Sequence, residues 1–381
     1  TKGMFPNVFA ATDGSLPSWL TGIIICGVVL TYIFAGGSRA AAWANTFQTL
    51  VFMAMGVLAF YLISNKLGGL AAAIEQANPA HLVRTPSELE VTGRGGSFLR
   101  DIGVHPLTFL SYMFIPLSVG MFPHLFQHWL TARSAASFKL AVIAHPICIM
   151  LVWVPCIMLG IWATTDVAMD IVGPLARLSH ETAGDQNKVL PMLVKGLSGP
   201  VLGGFLAAGV LAAIMSSLDS QFLCMGTMFT NDIAKRYFAK GEMSDRQTVF
   251  WTRTFIILVV AVTYSFSLLN PRGVFGLGIW CFSGFSSLFP LIFAAVYWRR
   301  LTSAGAYACI VAAAATWGLL FLSAMNSGGP LSEYLVQINV GGTSYELMPV
   351  VAMILASSVA MIVVSFMTRP PEAEHLKRFF A

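Results

Sequence analysis

Nine stretches of about twenty predominantly apolar residues recur along this chain, and a run of that length crosses a bilayer as a helix. They run approximately from Ser18 to Ala35, Trp43 to Ser64, Pro106 to Leu130, Leu140 to Thr164, Gly199 to Thr230, Val249 to Leu269, Val274 to Trp298, Gly305 to Ala324 and Leu347 to Met367. Only 10% of the residues are charged and the mean hydropathy is +0.75. A soluble domain carries about 25% charged residues, so the chain reads as a polytopic membrane protein. Backbone groups inside lipid must be satisfied within the protein. Runs of this length predict an all-α fold.

Lys and Arg gather on the cytoplasmic side of membrane proteins, which orients the spans. With the first span running inward, the inner segments hold thirteen of the 22 Lys and Arg and the outer segments nine. The C-terminal tail, residues 368–381, is then cytoplasmic. The long loops Asn65 to His105 and Thr165 to Ser198 fall outside; they read either as plain connectors or as loops with short helices that cover an outer mouth. The net charge of +5 is scattered, which gives no nucleic-acid footprint. The six cysteines (Cys26, Cys148, Cys156, Cys224, Cys281, Cys309) lie in apolar runs, where packing rather than disulfide formation is expected. The chain opens Thr1-Lys2-Gly3-Met4, so no signal peptide is expected, and the missing initiator suggests a fragment.

Two spans carry helix breakers at mid-membrane. The third contains Pro116, Gly120 and Pro123, and each proline removes a backbone donor and clashes with the preceding turn. The seventh holds Gly276, Gly278, Gly284 and Pro290. Broken helices near the midplane mark solute sites in transporters, because freed carbonyls and helix ends can coordinate a solute.

The fifth span conceals a polar stripe. Ala213, Ser216, Ser217, Ser220, Cys224 and Thr227 recur at helical spacing and share one small, oxygen-bearing face. Na⁺ is a hard cation that prefers oxygen ligands. Ser216 and Ser217 supply adjacent hydroxyls, and Ala213, one turn earlier, supplies an approachable carbonyl. The same serines could equally bond back to carbonyls of their own helix. Asp219 is expensive inside a span, about 2.5–3.5 kcal/mol at the centre. It points away from Ser217, so a structural partner on another helix or a loop amide is expected rather than direct ion binding.

His124 and His128 stand one turn apart, a spacing that could hold a metal or carry protons, but no Cys, Asp or Glu accompanies them. They read as hydrogen-bonding residues at the inner end of the third span. His145, before Pro146, reads the same way. No phosphate-binding glycine loop, Gly-x-Ser-x-Gly or Cys-x-x-Cys occurs, so enzyme chemistry is not expected.

Several stretches together resemble the sodium:solute symporter family: Gly36-Gly37-Ser38-Arg39-Ala40-Ala41-Ala42-Trp43-Ala44-Asn45-Thr46-Phe47-Gln48, then Pro123-His124, then Ala213-Ile214-Met215-Ser216-Ser217-Leu218-Asp219-Ser220. Ser283-Gly284-Phe285 follows, leading through Phe289-Pro290 to Trp298-Arg299 and Gly305-Ala306. The resemblance implies a leucine-transporter-type inverted-repeat fold with an incomplete first repeat in a single transporter domain. Residues 18–64 would be the last two helices of the first repeat, 106–298 the second repeat and 305–367 two flanking helices. It implies a sodium site to which this chain contributes Ala213, Ser216 and Ser217, the other half lying in an earlier helix with no counterpart here. Asn45 stands where members with a second sodium carry an aspartate. Solute-binding positions correspond to Tyr112, Ile115, Pro116, Val119, Trp280 and Phe282. Ile115 and Val119 replace the aromatics of proline transporters, which argues against proline.

The function this implies is sodium-coupled symport of a small organic solute by alternating access, in the plasma (inner) membrane. Na⁺ would be the coupling ion, with no organic cofactor and with no partner required beyond the solute and the bilayer. A transporter-like sensor domain is the alternative, and a membrane enzyme or electron carrier built around His124 and His128 a third class.

Overall fold

The computed structural model describes residues 17–76, 88–93, 96–101, 106–130, 132, 134–163, 190, 193, 200–238, 242–268, 274–327, 331, 334–340, 343–372, 374 and 376. Among these described residues, eight helical segments are long and apolar enough to cross a membrane. Each coincides with one of the runs read from the sequence, and the remaining run, the third, is the broken one.

The chain divides into two compact units. The first takes residues 1–79 and 127–271. Within it α1 (Ser18–Lys66) holds two spans, Trp19–Gly37 and Arg39–Lys66, which part at Gly37. There φ is 58° and ψ −146°, a conformation essentially confined to glycine. Breaking the helix frees a carbonyl at the end of the first limb, and the Arg253 guanidinium donates to the Phe34 carbonyl at 2.7 Å while lying 5.4 Å from the Phe34 ring centre. A Cβ at Gly37 would meet nothing within 4 Å, so the cost of a side chain there is backbone strain alone. Gly37→Ala is expected to destabilise the protein by about 1–3 kcal/mol. An unchanged thermal midpoint of the purified protein would show that the chain does not depend on this turn.

Short α2 (Leu70–Glu75) follows. Helix α5 (Phe138–Trp162) keeps its course despite Pro146 and Pro155. Helix α6 (Pro200–Met228) runs on into a π-helical segment, Phe229–Phe238, so the fifth span is longer than a bilayer requires. Helix α7 (Asp245–Leu268) completes the unit. Close helix approach in lipid relies on small residues. A Cβ at Gly209 would come within 2.6 Å of Met55, and one at Gly226 within 2.6 Å of Ile256. Val29, Ile33, Phe222, Ile256 and Val260 form a buried cluster that joins the first limb of α1 to α6 and α7.

The second unit takes residues 80–126 and 272–381. The predicted break in the third span appears as α3 (Pro106–Tyr112), a 3₁₀ turn over Ile115–Met121 and α4 (Pro123–Leu130), whose last residues belong to the first unit. Pro116 lies in the first turn of the 3₁₀ segment and Pro123 opens α4, where a missing N–H costs nothing. The seventh span likewise divides into α8 (Val274–Ser286) and α9 (Phe289–Tyr297), with Pro290 in the first turn of α9. Helices α10 (Ser303–Asn326) and α11 (Pro349–Met367) pack closely where Gly305 abuts Ser365 and the Met361 carbonyl.

Two antiparallel hairpins depart from the all-helical expectation, both between spans. β1 (Glu88–Gly93) pairs with β2 (Gly96–Asp101), in the loop read as either a plain connector or one with short helices, and β3 (Val336–Val340) pairs with β4 (Thr343–Leu347). Between spans the pull toward helix is local propensity alone, and Val-Gln-Ile-Asn-Val alternates in the manner of a strand. The Gly341-Gly342 pair in the sequence was the legible signal for the second hairpin. The loop Thr165 to Ser198 lies outside the described residues except for Leu190 and Leu193.

Candidate sodium and solute sites

Within the first unit, α6 packs along α1, and Ser220 of the stripe meets Asn45 there. Ala213 and Ser216 are half-buried and Ser217 is exposed. The Ser216 hydroxyl donates to the Ala213 carbonyl at 3.1 Å. This is the back-bond to the helix's own carbonyl that serine makes readily. Further along, Thr227 turns back to the Leu223 and Cys224 carbonyls and takes a 3.4 Å contact from the Gln127 amide.

Asp219 is fully buried. Its Oδ1 accepts a hydrogen bond from the Tyr32 phenol on the first limb of α1, the interhelical partner that the cost of a buried carboxylate called for. Its Oδ2 has no hydrogen-bond partner among the described residues, and the same holds for the buried Oε1 of Gln48. Asn45, on the second limb, donates to the Ser220 hydroxyl at 3.2 Å. An amide in this position supplies a donor to Ser220, which an aspartate could not.

Within the second unit, the six solute-binding candidates distribute over three environments. Tyr112 and Ile115 pack against Ile279, Met348 and Val350. The Ile115 carbonyl, freed by the broken helix, accepts from Ser286 at 2.8 Å. Trp280 is buried among Ala324, Leu331 and Met353, edge-on to Phe321; its indole donates to the Leu331 carbonyl at 3.0 Å, and its own carbonyl accepts from the Trp317 indole at 2.9 Å. Pro116, Val119 and Phe282 are exposed. Phe282 meets Phe122 edge-on at 5.3 Å, and Phe122 also lies 4.9 Å from Phe285 and 5.5 Å from His124. The side chain of His128 lies outside the described residues. No group of three or more His, Cys, Asp or Glu suited to a metal occurs among the described residues.

The model of the sodium:solute symporter family matches residues 17–312. The chain belongs to this family. As a family member it is similar to the high-affinity proline transporter PutP of Bacillus subtilis (strain 168), with 25% identity over 360 residues, covering 92% of this chain and 66% of that protein. The osmoregulated proline transporter OpuE of the same organism is 26% identical over 99% of this chain and 68% of its own length. The sodium/mannose cotransporter SLC5A10 of Bos taurus is 25% identical over 83% of this chain and 54% of its own length. A Na⁺-coupled sialic acid symporter, solved in a substrate-bound outward-open state, superposes with a TM-score of 0.67 over 97% of this chain and 71% of that chain, at 16% identity. That likeness establishes the leucine-transporter-type fold of this symporter-family chain. The chain spans 53–68% of the length of the curated relatives it matches.

In this symporter-family chain the sequence singled out Ala213, Ser216 and Ser217; the structure joins Ser216 to the Ala213 carbonyl and leaves Ser217 exposed on the same helix. The solute candidates do not share one surface: Trp280 is enclosed in packing, while Val119 and Phe282 are open. Tyr32 escaped the sequence reading. Its signal was the single tyrosine of the first span, the kind of donor that the buried carboxylate at Asp219 required.

Proposed function

We propose that the complete protein is a sodium-coupled symporter of a small organic solute, in which an inward Na⁺ gradient drives uptake by alternating access. The observation that supports it most directly is the set of two hydroxyls and one carbonyl at Ala213, Ser216 and Ser217, on a helix of a sodium:solute symporter chain. Na⁺ here is a co-substrate, and α6 offers it part of a coordination shell. Residues 106–298 act as the second inverted repeat, and the interrupted helices α3–α4 and α8–α9 supply the freed carbonyls and helix ends that such carriers use. Tyr112, Ile115, Pro116, Val119 and Phe282 border the solute path, and Trp280 stands in the packed core of the same unit. Ile115 and Val119 speak for a solute other than proline, and the named relatives span an amino acid and a sugar. The protein resides in the plasma (inner) membrane with its C-terminus in the cytoplasm.

Uptake of a panel of labelled amino acids, sugars and carboxylic acids into proteoliposomes of the complete protein tests the reading. Replacing external Na⁺ by choline is expected to reduce initial uptake of the transported solute by at least about tenfold, the effect of about 1.4 kcal/mol of coupling. Uptake that continues at the same rate in choline would overturn the reading.

A further inference from the structure

The two limbs of α1 grip α6 at consecutive residues. Tyr32, before the Gly37 turn, holds Asp219; Asn45, after it, holds Ser220 at 3.2 Å. In one straight helix Tyr32 and Asn45 would stand about 20 Å apart along the axis. The turn at Gly37 is what lets both reach the same level of α6.

These two bonds fix the rotation of α6 about its own axis. At about 100° per residue, and with Ser216 set at 0°, Asp219 lies at about −60°, Ser220 at about +40°, Ala213 at about +60° and Ser217 at about +100°. Ser216 therefore sits in the gap between the two anchored residues, one turn away. Any roll of α6 that moves Ser216, Ser217 and Ala213 must stretch one of the two anchors. The Tyr32 anchor is the stiffer. Asp219 is fully buried, so no water competes with the phenol for this bond. The packing around it is well defined too, since Tyr32 lies against the buried cluster of Val29, Ile33, Phe222, Ile256 and Val260.

We infer that Tyr32 is a positioning residue for sodium binding: its phenol, acting through Asp219, sets the angle at which α6 presents Ala213, Ser216 and Ser217. The inference rests on the reading of those three groups as part of a sodium site. Tyr32 itself does not touch the ion, and neither does Asp219, which faces about 160° away from Ser217. The buried carboxylate serves as a rigid acceptor.

The test is the Na⁺ dependence of solute uptake by the complete protein, with Tyr32→Phe and Asp219→Asn beside Ser216→Ala/Ser217→Ala. Tyr32→Phe keeps the ring in its packing and removes only the donor. It is expected to raise the half-saturating Na⁺ concentration about fivefold, the effect of one hydrogen bond, with the maximal rate preserved at saturating Na⁺. Asp219→Asn retains an acceptor oxygen for the phenol and is expected to stay within about twofold of the parent. The half-saturating concentration does not depend on how much protein reaches the membrane, so a loss of folded protein does not imitate the shift. An unchanged value in Tyr32→Phe overturns the inference. So does an Asp219→Asn shift as large as or larger than that of Tyr32→Phe, since the charge and not the position would then matter. If Ser216→Ala/Ser217→Ala leaves the Na⁺ dependence unchanged, the sodium-site reading itself fails; a shift there without one in Tyr32→Phe sinks the positioning role alone.

Discussion

Replacing Ser216 and Ser217 together by alanine is expected to raise the Na⁺ concentration that half-saturates uptake by between about tenfold and a thousandfold. The range follows from what is removed. A hydroxyl oxygen that touches a cation contributes about as much as a hydrogen bond to a charged group, about 1.5–3 kcal/mol, so two such groups amount to about 3–6 kcal/mol before water takes over part of their role and leaves about 1.4–4 kcal/mol. Partial replacement by water explains why the lower end of the range is reachable. The fold is expected to survive, because alanine is the best helix former and removing the Ser216 back-bond frees a carbonyl that remains paired within the helix. Ser217 is exposed and its change alone leaves packing untouched. The single variants divide the two readings of the stripe. If Ser216→Ala shifts Na⁺ dependence as Ser217→Ala does, the back-bond does not exhaust the role of Ser216. If only Ser217→Ala acts, Ser216 is a helix-internal residue. The measurement is initial uptake against external Na⁺ at saturating solute, with the complete protein in proteoliposomes.

Trp280→Ala is expected to cost about 3–5 kcal/mol of folding stability, a larger loss than Gly37→Ala brings. The indole is 2% exposed and is enclosed by Ala324, Leu331 and Met353, with Phe321 edge-on to it. Lipid is as apolar as the protein interior, so the loss is one of dispersion contacts and of the indole hydrogen bond to the Leu331 carbonyl, which would be left without its donor. Trp280→Phe should keep most of the packing and lose the hydrogen bond, at about 1 kcal/mol. Detergent or thermal unfolding of the purified protein reads both. The same variants separate packing from solute recognition. A stability loss in Trp280→Phe with an unchanged apparent solute affinity makes Trp280 a structural residue; a selective rise in KM at unchanged stability would put it at the solute. The exposed Phe282 offers the converse, since its truncation is expected to move solute affinity with little effect on stability.

Helical spans were legible because their cause is one-dimensional. A run of about twenty apolar residues has few alternatives in lipid, and prolines at 116, 123 and 290 act on the backbone within a turn of where they stand. The hairpins were harder to read, because between spans neither lipid nor a long apolar face imposes a structure, and only alternation and a glycine pair marked the second of them. For the α6 stripe, periodicity alone placed Ala213, Ser216 and Ser217 on one face. It could not choose between a back-bond and an ion; the structure shows the back-bond, at 3.1 Å from Ser216 to the Ala213 carbonyl.

What the sequence determined by itself is therefore the set of spans, their breaks, the family resemblance and the presence of a carboxylate that had to be partnered. The tertiary structure decided who the partners are. Tyr32 precedes Asp219 by 187 positions and Asn45 precedes Ser220 by 175, distances over which no periodicity carries information. They meet because a glycine at 37 adopts a conformation closed to other residues and turns α1 back along α6. The same holds for Trp280, whose place in the sequence suggested a solute and whose place in space is a packed core. A side chain's chemistry states what it needs, and only the packing of distant segments decides what meets that need.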